Sequence, residues 1–177
     1  MCTTEQSPLC ATLTAAAGAI ETTNIDALVS LSASRVVDCE DVDPATYTDC
    51  FDAKTAEGYA IDAGDDTVVL LDENQYRSFL SQLEQVAPNV SDDRGSGEVD
   101  VYGLGIEGNG YELLATALID DLLGPGTPTR YVIALRFEEV EGRWALVHFF
   151  VQPVNVLIAQ GLRDPYLDVS ENVQPWP

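Results

Sequence analysis

The stretch Tyr131-Val132-Ile133-Ala134-Leu135-Arg136-Phe137-Glu138-Glu139-Val140-Glu141-Gly142-Arg143-Trp144-Ala145-Leu146-Val147-His148-Phe149-Phe150-Val151 decides the fold. Two apolar runs, Tyr131–Glu139 and Arg143–Val151, flank Glu141-Gly142, and so read as the strands of an antiparallel hairpin. With Glu141 and Gly142 as the turn, Phe137 lies opposite Leu146 and Leu135 opposite His148. Ile133, Leu135, Phe137, Trp144, Leu146, His148 and Phe150 then share one face. Val132, Ala134, Arg136, Ala145, Val147, Phe149 and Val151 line the other. Both faces are largely apolar, so the sheet is expected to be covered on both sides.

Working back from the hairpin, Val99–Ile106 and Tyr111–Ile119 read as two further strands joined by Glu107-Gly108-Asn109-Gly110. Before them, Asp72 caps a helix with Gln75 three residues on, the pattern of a capping box. Tyr76, Phe79, Leu80, Leu83 and Val86 form the apolar stripe of that helix until Pro88 stops it. Gly58–Ile61 and Thr67–Leu71 flank a glycine-bearing turn and read as a smaller hairpin, preceded by an extended piece at Arg35–Val37. At the start of the chain Ser7-Pro8 is an N-cap followed by proline at the first helical position, with Leu9, Leu13, Ala16, Ala17 and Ile20 at helical spacing. Asn24 caps a second, shorter helix carrying Ile25, Leu28, Val29 and Leu31. Val154–Gly161 reads as a short terminal helix, and the remainder through Trp176 has no periodicity. The 177 residues suit one domain: a flexible segment 1–7, a core 8–152 and an extension 153–177.

Thirty acidic residues against eight basic ones give a net charge of -22. That field opposes nucleic acid and anionic membranes, so neither is an expected partner. The longest apolar runs are too short to cross a bilayer as a helix. A salt-adapted intracellular protein is one alternative source of such acidity.

Of the four cysteines, Cys39 and Cys50 bracket a loop of acidic and turn-forming residues, which suits a disulfide staple in an oxidising compartment. No zinc spacing is present, and no metal or cofactor is expected. Cys2, followed by Thr3-Thr4-Glu5-Gln6-Ser7, is either the lipid-bearing first residue of a bacterial surface lipoprotein or the partner of Cys10 in a second disulfide. The loop carboxylates Asp38, Glu40, Asp41 and Asp43 lack the spacing of a calcium-binding loop and read as a solvated surface. Gly103-Leu104-Gly105 leads into a turn and strand, which excludes a dinucleotide-binding glycine loop.

Two helices, a small hairpin, a third helix and a run of long strands ending in Phe137–Val147, with tryptophan two residues after the turn glycine, resemble the NTF2-like superfamily. The resemblance covers residues 8 to 152 and implies an α+β fold, with N-terminal helices packed on a curved, mainly antiparallel sheet that forms a cystatin-like cone. It also implies an apolar pocket and a homodimer through the outer face of the sheet. That superfamily holds isomerases, dehydratases and cyclases beside binding domains without chemistry, so the fold does not assign a reaction. The cysteine loop departs from a minimal member and suggests an exported bacterial branch.

His148 is the single histidine and the candidate proton-transfer residue, because its ordinary pKa suits that task near neutrality. No nucleophile motif accompanies it. Tyr59, Leu135, Phe137, Trp144, His148 and Phe150 are the expected ligand-lining residues. Arg136, on the other strand face, needs an acidic partner such as Glu138, whereas Asp100 and Tyr102 are minor candidates for a pocket. The sequence thus reads as a non-catalytic, extracellular or cell-surface domain for a small apolar ligand or a protein partner. The alternative is an isomerase or dehydratase using His148.

Overall fold

The computed structural model describes residues 7–62, 67–81, 83, 99–119, 129–153 and 173–176. Helix α1 spans Pro8–Glu21 and α2 Ile25–Leu31. Ser7 Oγ accepts the Cys10 N–H at 3.1 Å and Asn24 Oδ1 accepts the Ala27 N–H at 3.1 Å, so both predicted caps are in place. Helix α3, Glu73–Ser81, begins with a complete capping box. Asp72 Oδ1 accepts from Gln75 N at 2.8 Å and Gln75 Oε1 from Asp72 N at 3.0 Å.

Among the described residues eight strands occur in the chain order β1 (Arg35–Asp38), β2 (Thr55–Asp62), β3 (Val68–Leu71), β4 (Asp100–Glu107), β5 (Gly110–Ile119), β6 (Thr129–Val140), β7 (Arg143–Pro153) and β8 (Val173–Pro175), with α3 between β3 and β4. They form one open sheet ordered β1-β2-β7-β6-β5-β4-β8, with β3 beside β2. Every strand pairing is antiparallel except β2 with β7. Helix α1 touches both β7 and β4. Three inter-strand spacings, about 14 Å, separate those strands, so the 14-residue helix, about 21 Å long, lies across the strands between them. The fold is the expected α+β cone, with the main core between helices and sheet.

Gly58 sits where β2 passes from β1 to β3. A Cβ there would lie 2.8 Å from the Leu71 carbonyl oxygen, a backbone atom that cannot turn aside. Gly58→Ala is therefore expected to lower stability by about 1–3 kcal/mol in a denaturant titration; an unchanged midpoint would contradict this packing.

The closing hairpin turns where predicted, at Glu141 and Gly142, whose φ values of 52° and 81° fit a two-residue primed turn. Phe137 faces Leu146 as expected, but the next pair is Arg136 with His148, because β7 carries an extra residue, Val147, at a β-bulge. The bulge reverses the facing of everything after it. Phe149 and Val151 turn to the helices with Leu135 and Ile133, while His148 and Phe150 turn outward. The predicted pairing of Leu135 with His148, and the inward placing of His148 and Phe150, are corrected accordingly.

Both sheet faces are covered. Outward-facing Leu114 and Ala134 pack with Val173 of β8, a strand that the sequence showed no sign of. Ala60, Val68 and Leu70 are covered by the loop between β1 and β2, closed by the expected Cys39–Cys50 disulfide. The loop carboxylates organise backbone: Asp38 Oδ1 accepts from Glu40 N, Asp43 Oδ1 from Ala45 N, and Asp49 Oδ2 from Leu70 N at 2.9 Å. Cys10 is also disulfide-bonded. Cys2, the end of the predicted third helix beyond Leu83, and the terminal helix 154–161 lie outside the described residues.

Candidate functional site

The inner face of the sheet becomes progressively less covered toward the hairpin turns. Strand pairing aligns Ile106, Tyr111, Phe137 and Leu146 in one row across four strands, and Ser32 continues it from the end of α2. Leu146 and Phe137 are sealed, at 1% and 0% exposure, whereas Tyr111 is half-buried and Ile106 is 53% exposed. One step nearer the turn, half-buried Trp144 meets Tyr111 edge to face, with centroids 5.5 Å apart and planes at 75°. Glu139 lies directly opposite Trp144, hence on the same face, and is exposed. The result is an aromatic mouth with a sealed phenylalanine as its floor and a carboxylate on its rim.

Deeper in the cone the space is filled. Tyr59 stacks on Tyr76 at 4.6 Å, and Phe79 meets Phe149 edge to face at 5.5 Å. Ser32 Oγ donates its one proton to the Leu28 carbonyl at 2.8 Å, so the 3.1 Å contact with Tyr76 must be donated by the tyrosine hydroxyl. Burial, reinforced by Tyr59, pushes the Tyr76 pKa up to about 12. A phenol whose pKa is raised on folding stabilises the fold below its unfolded value near 10, and loses that contribution as pH climbs toward the folded value. Stability is therefore expected to fall by about 3 kcal/mol between pH 10 and 12. Tyr76→Phe should flatten that part of the pH profile, measured by denaturant titration; an unaltered slope would remove Tyr76 as its source.

Of the expected ligand-lining residues, Tyr59, Leu135, Phe137 and Trp144 belong to the inner face. Leu135 and Phe137 are fully buried, so they support the site from beneath without opening to it. His148 instead joins an outer row of Glu112, Arg136, His148 and Ala60 on four adjacent strands. Arg136 has the acidic partner it required, its Nε donating to Glu138 Oε1 at 2.8 Å. Phe150 and Tyr102 pack on the same outer side, and Asp100 is exposed. Tyr111 and Ile106 escaped the sequence reading. Their signal was there, in the register that the Gly108-Asn109 turn imposes on the second hairpin.

No family model matches the chain, and no curated protein matches it. Among solved structures it is similar to a protein assigned as a polyketide cyclase from Acidithiobacillus ferrooxidans, at 18% identity over 90% of this chain and 97% of that one, with a TM-score of 0.48. A protein assigned as a dehydratase of the NTF2-like family from Streptomyces avermitilis follows, at 16% identity over 83% and 94%, TM-score 0.43. An NTF2-like protein of unknown function from Shewanella oneidensis shares 11% identity over 82% and 96%, TM-score 0.40. At such identity these likenesses carry no chemistry across. The chain's own element order and strand pairing define the class: an α+β fold of helices packed on a mainly antiparallel sheet, with an aromatic mouth.

Proposed function

We propose that this chain is a non-catalytic, exported binding domain that takes a small apolar ligand at the mouth formed by Ile106, Tyr111 and Trp144. The observation that carries the reading is the contrast along one row of the sheet. The floor residue Phe137 is sealed, while the two rings and Ile106 beside it keep apolar surface in contact with water. Covering such surface is favourable for any apolar molecule of matching shape. The disulfides of Cys39–Cys50 and of Cys10 support an oxidising compartment. An enzyme on this frame would need an acid or base other than His148 inside the cone, since His148 faces outward.

The test uses Trp144 as its own reporter. In a Trp176→Phe background, titration with naphthalene is expected to change tryptophan emission saturably. Tyr111→Ala should weaken that binding by about fivefold to tenfold, the usual worth of one aromatic contact. A wholly linear, non-saturating response would refute the site.

A further inference from the structure

The mouth is chemically lopsided, and the lopsidedness indicates what kind of apolar ligand fits it. Tyr111 and Trp144 stand at 75° to one another, so they present π surfaces in two directions around one point. The face of an aromatic ring is the negative side of its quadrupole and attracts cations, most strongly in tryptophan and for weakly hydrated ammonium groups. Directly across the strand pair from Trp144 stands the carboxylate of Glu139. Among the described residues Glu139 takes part in none of the ion pairs, which engage Asp26, Glu73 and Glu138 among others. The nearest basic side chain along β7, Arg143, belongs to the opposite strand face and donates to the Ser32 carbonyl at 3.4 Å. Around all of this the chain carries a net charge of -22, which concentrates cations at its surface and repels anions.

Resting on the binding function proposed above, we infer that the ligand is a cationic amphiphile, a quaternary or protonated amine on an apolar body. Its charged head sits between the Trp144 and Tyr111 rings and the Glu139 carboxylate, and its apolar body lies along Ile106. Neutral apolar molecules use the same ledge without the charge term. Anionic ones meet the carboxylate and the field of the whole protein.

Three octyl compounds below their micelle concentrations separate the terms: octyltrimethylammonium, 1-octanol and octyl sulfate, each titrated against Trp144 fluorescence in the Trp176→Phe protein. The cation is expected to bind about tenfold more tightly than the alcohol, with the sulfate weakest. Glu139→Gln, an exposed change that spares the core, should reduce the cation's advantage about threefold while leaving 1-octanol unchanged. Trp144→Leu, which keeps apolar bulk but removes the reporter and is therefore titrated by calorimetry, should abolish the advantage. If 1-octanol or octyl sulfate binds as tightly as the cation, the cationic assignment is overturned and the apolar site stands. If none of the three gives saturable binding, the site itself is overturned.

Discussion

Truncation of Phe137 to alanine is expected to lower the unfolding free energy by about 3–5 kcal/mol, the cost of removing a fully buried ring that its surroundings cannot collapse to replace. Its ring lies between Tyr111 and Leu146 in the row beneath the mouth, with no solvent exposure. Rigid strand backbone on both sides limits relaxation into the gap. Denaturant titration measures the loss through the midpoint. A change below about 1 kcal/mol would mean that the floor is loosely packed, contrary to the structure. Phe137 therefore acts on the site by holding Tyr111 and Trp144 in place, and a smaller substitution such as Phe137→Leu should weaken ligand binding only as far as those rings lose their positions.

Removal of the Cys39–Cys50 disulfide, as Cys39→Ser with Cys50→Ser, is expected to cost about 3 kcal/mol, the loop-closure value for a segment of this length. The loss has a location. The loop covers Ala60, Val68 and Leu70, and it also supplies acceptors to the β3 backbone, with Val68 N donating to the Thr46 carbonyl and Leu70 N to Asp49 Oδ2. Hydrogen exchange at the Val68 and Leu70 amides should therefore accelerate more than exchange at the Leu113 and Leu135 amides in the main sheet. Equal acceleration everywhere would show that the loop stabilises only through the unfolded chain. Reduction of the wild-type protein would open the Cys10 disulfide as well, so the double variant is the comparison that isolates the loop.

What the sequence made legible follows from how local each signal is. Ser7, Asn24 and the Asp72–Gln75 box act within one helical turn, and all are found making the hydrogen bonds their positions imply. The Glu141-Gly142 turn is equally local, and it placed Phe137 against Leu146 correctly. Beyond that pair the reading failed, because Leu146-Val147-His148-Phe149-Phe150-Val151 offers no polar contrast to reveal which residues face outward. Only tertiary packing, with Phe149 seeking Phe79 on α3, chooses between the two settings. Strand β8 was hidden for a different reason. Three residues have no period, and their partner β4 lies some seventy positions earlier in the chain. The site was half legible: Tyr59, Leu135, Phe137 and Trp144 were placed on the right side, while the junction of Ser32 with Tyr76, 44 residues apart, depends on the final fold alone.

The surplus residue at Val147 divides β7 into two lengths with opposite parity. Up to Leu146 the strand is in step with the hairpin turn, and from His148 onward it is in step with β2 and the helices. The same strand paired without the bulge would present His148 and Phe150 to the interior and Phe149 to the outer face, whereas loss of Val147 would straighten the strand and leave all three facing as they do. The bulge at Val147, and not the order of residues alone, thus decides that the cone is lined here by Phe149 and not by an imidazole.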